Sequence, residues 1–308
     1  FGRSFYILDD YSPLRNLSEE TLAKEAHIFP IKDAWQYIEQ RPLGRSGKAF
    51  QGAAYYTAEN PPVASVFTYY LKEAPKSLEA LRNEREKELD KAGKPIPVPP
   101  VDSLRAEDEE EAPYLLFTIF DANKKVVNRI KTSPKKGVNR VEWDFRYPST
   151  GPVRLGNDNS SGGPMAAPGQ YYVSLAQYVR GEWTELVGPQ PFTVKSLNQR
   201  ALPEADRQEL LAFQRKLGDL YRSVAAAEAM HEGLEERVKH LKAAVRLTPS
   251  APIELTGELE AVEAQLSALN RALNGDPSLA KRYRETAPGI SERIGMTMYS
   301  SYNSTTAP

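Results

Sequence analysis

The apolar residues after Pro203 recur at alternating spacings of three and four positions, and this repeat constrains the fold more than any other feature of the chain. A heptad repeat places apolar side chains on one stripe of an α-helix, which must then pack against other helices. We predict one long helix, a second helix about half as long after Pro249 and Pro252, and short terminal helices that cover the remainder. The first stripe comprises Leu210, Phe213, Leu217, Leu220, Val224, Ala227, His231, Leu234, Val238, Leu241 and Val245, and the second Leu255, Leu259, Val262, Leu266, Leu269 and Leu273.

Before Pro203 the chain consists of short stretches that are rich in β-branched and aromatic residues. Strands are predicted at 64–71, 114–120, 126–130, 141–145, 170–178, 183–187 and 192–195, with a turn at Arg180-Gly181. Helix starts are predicted at Ser18 and at Asp276-Pro277. From residue 113 onward, turn signals separate the strands about every 8–12 residues, which is typical of an antiparallel β-sandwich. The fold class is therefore predicted as α+β and multidomain, with an antiparallel β-sandwich followed by an antiparallel helical bundle with one long helix. We expect the sandwich core to contain Trp143, Phe145, Tyr172, Leu175, Trp183 and Phe192.

The changes of pattern divide the chain into three segments. Residues 1–49 contain one strand-like stretch and a long connector, which we interpret as the tail of a preceding domain. Residues 50–199 form the sandwich, with an insertion at 73–112 that carries a helix, a proline-rich run and a solvated acidic stretch. Residues 200–308 form the helical bundle.

The composition excludes several classes of function. There are 40 Lys and Arg against 41 Asp and Glu, a net charge of −1, so we expect no nucleic-acid partner, because phosphate binding needs an excess of basic residues. No apolar run approaches the roughly 20 residues that span a bilayer, so we expect no transmembrane segment. With no cysteine and three histidines, we predict no metal site and no cofactor.

Three features were weighed as chemical sites. Asp9 and Asp10 are adjacent on a strand and point to opposite faces, so they cannot flank one glycosidic bond and are interpreted as a strand-end turn. His231 lies on the apolar stripe with no second inward acid or imidazole, and we interpret it as a structural residue. Residues 156–163 lack the ligand spacing and closing Glu of a calcium loop. We therefore predict no catalytic residue.

The loop at 149–165 remains the place where we expect any ligand contact. It carries Arg154, Asn157 and Asp158, which combine a guanidinium, an amide and a carboxylate in a flexible Gly- and Ser-rich setting. We interpret the segment as a flexible sandwich loop, with low-affinity cation or ligand contact as the alternative, and these three residues are the candidate ligand-binding residues.

Four stretches resemble one family. They are residues 2–10 (GRSFYILDD) with Pro13-Leu14-Arg15, residues 137–148 (GVNRVEWDFRYP), residues 163–173 (GPMAAPGQYYV) and residues 304–308 (STTAP). This combination is similar to the region after the propellers in large bacterial sortilin-like β-propeller proteins, which are often labelled BNR-repeat glycosyl hydrolases.

The resemblance implies an exported, extracytoplasmic protein, in which propeller blades precede an immunoglobulin-like module and a helical end. Residues 1–10 would then be the closing strand of a propeller, and the chain's own propeller domains would be its first partner. The chain contains no Ser-x-Asp-x-Gly-x-x-Trp Asp-box, so no catalytic residue of the family is transferred to it.

Three functions remain open from the sequence. We favour a non-catalytic C-terminal accessory module that binds a protein, peptide or glycan or supports the propellers structurally. In the second hypothesis, the parent is a glycoside hydrolase with its active site in the propeller, and the 149–165 loop helps to shape that site. In the third, the long helix is a stalk or dimerisation element.

Overall fold

A computed structural model describes residues 10–37, 61–153, 162–197 and 204–304. The chain divides into two compact units, residues 1–148 with 166–199 and residues 149–165 with 200–308. The first unit is built mainly on antiparallel sheets, and the second is mainly helical. Residues 149–165, which the sequence placed within the sandwich, cluster with the helices.

The first unit begins with two short helices, α1 (Ser12–Arg15) and α2 (Glu19–Ala23), and continues as strands with one helical insertion. The Ser18 side chain accepts a hydrogen bond from the backbone N–H of Thr21 and so caps α2, where the sequence predicts a helix start. The later elements are β1 (Ala26–Ile28), β2 (Ala34–Gln36), β3 (Ser65–Leu71), α3 (Leu78–Lys91), α4 (Val101–Glu109), β4 (Tyr114–Asp121), β5 (Val126–Thr132), β6 (Gly137–Trp143), β7 (Arg146–Pro148), β9 (Gly169–Val179) and β10 (Glu182–Ser196), while β8 (Gly162–Met165) belongs to the second unit.

The strands of the first unit form two main sheets. One has three antiparallel strands in the order β1-β3-β6, and the other has five in the order β2-β10-β9-β4-β5, where β2 pairs with β10 in parallel. The segment that the sequence assigned to a connector therefore supplies β1 and β2. The two stretches predicted near residues 183 and 192 are one long strand, β10, which is kinked by register shifts between Glu185 and Gln190.

An aromatic core joins the two sheets. Phe67 of β3 contacts Phe117 of β4 and Phe192 of β10, with ring centroids 6.4 and 5.2 Å apart. Trp143 contacts Tyr171 and Phe192 in edge-to-face geometry, the arrangement that aromatic pairs prefer. Trp143, Phe145, Leu175 and Phe192 are buried, which confirms four of the six predicted core residues.

The predictions that Tyr172 and Trp183 belong to the core are wrong. Trp183 is 53% exposed and Tyr172 is only half-buried. Adjacent residues of a strand point to opposite faces of the sheet. Because Tyr171 faces the core, its neighbour Tyr172 faces outward. Trp183 lies opposite Tyr178, which pairs with Tyr114, and the next residue of β4, Leu115, is fully buried. Both residues therefore belong to the outer face of the five-stranded sheet.

The insertion at 73–112 is an ordered helical hairpin. The predicted helix is α3, whereas α4 was not predicted, because it follows a proline-rich run. Arg82 of α3 donates to both carboxylate oxygens of Glu107 on α4, at 2.8 and 3.0 Å, and also binds Glu86. The acidic stretch is therefore not simply solvated, since Glu107 ties the two helices together.

The second unit contains α5 (Glu204–Leu247), α6 (Leu255–Asn274), α7 (Pro277–Ala280) and α8 (Ile290–Ser304). The long helix has 44 residues and the second has 20, close to the predicted ratio. Lys242 of α5 pairs with Glu263 of α6, and Gln214 of α5 donates to the Ser301 carbonyl of α8. The two shorter helices thus contact different parts of α5.

The face that α5 buries is rotated from the predicted stripe. Gln214, Leu217, His231 and Val238 are buried. Four of the five alternate positions of the predicted stripe, all except the half-buried Ala227, are instead exposed, a set that we call the exposed heptad row: Phe213, Leu220, Leu234 and Leu241. A heptad stripe is wide enough to pack from either flank, and here α6 and α8 lie on one flank only.

Candidate functional site

The candidate ligand-binding residues predicted from sequence, Arg154, Asn157 and Asp158, lie outside the described residues, as does Asp9. Asp10 is described, and its Oδ1 accepts hydrogen bonds from the backbone N–H and hydroxyl of Ser12, at 3.0 and 2.7 Å. Partial burial acts to raise the pKa of Asp10, but these hydrogen bonds and the charges of Lys32 and Arg140 outweigh it and lower the pKa. Asp10 is thus used in a turn.

His231 is a buried link between two helices. It is 5% exposed, and its Nε2 lies 2.9 Å from the carbonyl oxygen of Leu266 on α6. The carboxylate of Glu235, one turn further along α5, is 3.8 Å away. The sequence did not predict an acid near His231, because Glu235 lies at the edge of the apolar stripe. The imidazole thus uses its Nε2 in a contact between helices and is almost fully buried.

Within residues 10–37, 61–153, 162–197 and 204–304, no group of three or more His, Asp and Glu side chains is placed to hold a metal ion. The helices of these ranges also include none with both the length and the apolarity needed to cross a membrane.

The most distinctive surface of the described residues is an exposed aromatic cluster on the outer face of the five-stranded sheet. We call it the Trp183 platform, and it consists of Trp183 on β10, Tyr178 on β9 and Tyr114 on β4. A two-residue turn between β9 and β10 sets the register. Arg180 and Gly181 both have positive φ, at 52° and 84°, which is the type I′ hairpin geometry.

The indole of Trp183 leans across the tyrosines. Strands β10 and β4 are separated by β9, so side chains standing upright on them would be about 10 Å apart. The centroid of Trp183 is instead 5.6 Å from that of Tyr114 and 5.1 Å from that of Tyr178. Its ring plane makes angles of 82° and 56° with the two phenol rings. The indole therefore rests on the phenol rings and keeps 53% of the residue surface in solvent.

Lys131 of β5 lies over the Tyr114 ring, and β5 is next to β4 on the side away from β10. Its ammonium lies 3.7 Å from the centroid of the Tyr114 ring and 3.0 Å from a carboxylate oxygen of Glu111. The Tyr114 ring is also stacked on Tyr178, with centroids 4.9 Å apart. Burial raises the pKa of the Tyr114 phenol, and the Glu111 carboxylate adds to this effect. The phenol therefore stays protonated and can donate a hydrogen bond at neutral pH.

Beyond the aromatic row, the same face of the sheet carries polar side chains. Residues directly opposite each other in a sheet share a face. Glu185 lies opposite Ala176, which is on the same face as Tyr178. Two rows beyond the aromatic row, Thr118 of β4 lies opposite Ser174 of β9 on one side and Arg129 of β5 on the other. Two residues along a strand cover about 7 Å, so the first hydrogen-bonding side chains on this face lie about 7 Å from the platform.

The turn beside the platform is fixed by a buried carboxylate. The Glu110 side chain is 5% exposed, and its Oε2 accepts a 2.6 Å hydrogen bond from the backbone N–H of Leu78, the first residue of α3. Its Oε1 is 3.7 Å from the Arg180 guanidinium, an ion-pair distance. Through this contact, the insertion touches the hairpin that carries Trp183.

No protein-family model matches the chain, and no curated protein or solved structure is significantly similar to it. The likeness to sortilin-like proteins described above therefore rests on its sequence motifs alone.

Proposed function

We propose that this chain is a non-catalytic binding module of a larger protein and that the Trp183 platform is its contact surface. The observation that carries this proposal is an exposed indole that contacts two phenol rings at the end of a tight hairpin. Exposed aromatic side chains with few rotamers lose little conformational entropy on binding and are enriched where partners bind. Asp10, a candidate catalytic acid, and His231, a candidate switch or ligand, take part instead in a turn and a helix contact.

The motif resemblance supports a second part of the proposal. The first unit would be an immunoglobulin-like sandwich and the second a helical bundle, together forming the C-terminal region of an exported sortilin-like propeller protein. Its partners would include the propellers of the same protein. If that parent hydrolyses glycans, the active site would lie in the propellers rather than here.

Replacing Trp183 tests the contact surface directly. We expect the full chain to bind members of a peptide array or a glycan array, and Trp183→Ala to lose the signal, because the platform loses its exposed ring. Trp35→Ala is the matched control, since Trp35 is 46% exposed on β2, away from the platform, and also has a lysine, Lys195, above its ring. Equal binding by Trp183→Ala and the wild type would contradict the proposal, as would substrate turnover by the chain.

Self-association is a second candidate function, favoured by the exposed heptad row. The row extends over 29 residues from Phe213 to Leu241, about 42 Å of helix. Helix α6 has equivalent exposed residues at heptad spacing, namely Leu255, Val262 and Leu269. Because α5 and α6 run antiparallel, equivalent heptad positions lie on the same side of the pair. The two rows make one apolar face, which a second copy of the chain would bury.

Light scattering distinguishes this candidate. We expect a mass twice that of one chain for the wild type and a monomer for the double variant Leu234→Gln, Leu241→Gln, whose substitutions keep helix propensity but remove apolar area. The double variant Glu232→Gln, Lys239→Gln changes exposed positions outside the row and should remain dimeric. A wild-type monomer at high protein concentration would eliminate self-association.

A further inference from the structure

We propose that the Trp183 platform binds a neutral carbohydrate, with a pyranose ring stacked on the free face of the indole. This inference rests on the proposed function and names the ligand class of the same surface. It follows from the orientation of the indole, from the polar side chains around it and from the local balance of charge.

The orientation of the indole suits a flat apolar ligand face. The indole lies against Tyr178 and Tyr114, with its ring plane at 56° and 82° to theirs, and 53% of the residue surface remains in solvent for a ligand to contact. The axial C–H groups of a pyranose form an apolar face with partly positive hydrogens, which the negative π face of an indole attracts. Because the ring is already held in place, binding would cost little additional side-chain ordering.

The surrounding polar groups suit the hydroxyls of such a ligand. The Lys131 ammonium and Tyr114 hydroxyl lie beside the platform, and Glu185 and Thr118 follow on the same face of the sheet. Together they offer donors and acceptors at several distances from the indole. A sugar chain lying along the strands would place one ring on Trp183 and the hydroxyls of the next ring over the polar rows.

The charges near the platform argue against a polyanion. Lys131 is paired with Glu111, and Arg180 with Glu110, so the cations beside the indole are compensated locally. A phosphate-rich or sulfated ligand would need an uncompensated basic surface. Strand β9, at the centre of the platform, is hydrogen-bonded on both sides, to β10 and to β4, so no peptide strand can add to it. The locally balanced charge and the polar side chains suit recognition of a neutral, hydroxyl-rich ligand.

Isothermal titration with neutral oligosaccharides tests the inference on the full chain. The probes are cellohexaose, maltohexaose, xylohexaose, mannohexaose and chitohexaose. We expect at least one of them to bind, and we expect Trp183→Ala to weaken that binding about tenfold or more through loss of stacking. Trp183→Phe should lose less, and Trp35→Ala should bind like the wild type. Because the ligand is uncharged, added salt should leave the affinity nearly unchanged.

The outcomes separate this inference from the proposed function. If none of the oligosaccharides binds, or if Trp183→Ala binds them as tightly as the wild type, the carbohydrate assignment is overturned. If peptides on the array bind in a Trp183-dependent way while no sugar does, the assignment fails and the binding module stands. If neither probe class depends on Trp183, both fail. Circular dichroism of each variant verifies that the fold is intact.

Discussion

Trp143→Ala is expected to lower the free energy of unfolding of the sheet unit by about 3–5 kcal/mol, which is the range for truncating a buried tryptophan. Trp143 is 1% exposed and contacts Phe145, Tyr171 and Phe192. Its indole N–H also donates a 2.9 Å hydrogen bond to the carbonyl of Arg146. Urea unfolding followed by tryptophan fluorescence reports this unit, because all three tryptophans belong to it.

Trp183→Ala is the matched control, with the same substitution on the outer face of the sheet. We expect it to cost about 1 kcal/mol, the worth of its aromatic contacts, since half of the residue is already in water. Should Trp143→Ala fail to fold, Trp143→Phe keeps most of the buried ring and is expected to lose about 2 kcal/mol. The carbonyl of Arg146 still accepts from Asn128 in both variants. Equal losses for Trp143→Ala and Trp183→Ala would contradict the assigned core.

The location of most strands and helices could be predicted from the sequence, because each is delimited by turn residues. The predicted strand at 64–71 is β3, and the strand predicted at 170–178 is β9, each within one residue at either end. The Asp276-Pro277 helix start is also observed, with the Asp276 side chain accepting from the N–H of Ser278. Strands β1 and β2 were missed because three residues are too short to show a period.

The Trp183 platform was missed for a more informative reason. The turn at Arg180 and Gly181 was recognised, and a two-residue hairpin places Trp183 opposite Tyr178. The alternation of β9 further implies that Tyr172 and Leu175 face opposite sides, so they could not both be core residues. Consistent use of this period would have placed Tyr172, Tyr178 and Trp183 on one face. The lean of the indole toward Tyr114 could not be predicted, because it depends on β4 lying beside β9.

The helical unit shows a similar limit. The heptad positions predicted that α5 packs on other helices. Which flank of its apolar stripe is buried depends on the side of α5 on which α6 and α8 pack. Sequence spacing alone fits both choices. The consequence is the exposed heptad row, whose residues were predicted to be buried.

Gly289→Ala is expected to destabilise the helical unit by about 3 kcal/mol, the upper part of the range for overpacking. Gly289 is buried just before α8, and its carbonyl accepts from the N–H of Arg293. A Cβ at this position would lie 2.7 Å from the carbonyl carbon of Leu273 and 2.8 Å from that of Asn274, at the end of α6. These are backbone atoms, so no side-chain rotation can relieve the overlap, and α8 would have to move away from α6.

Gly295→Ala, within α8, is expected to have the opposite effect. Gly295 is exposed on α8, and a Cβ there would meet no atom within 4 Å. Because alanine has a higher helix propensity than glycine, we expect this variant to be stabilised by about 1 kcal/mol. Urea unfolding followed by the helical circular dichroism signal measures both variants. A stabilised or neutral Gly289→Ala would mean that α6 and α8 do not approach as closely as the structure has them.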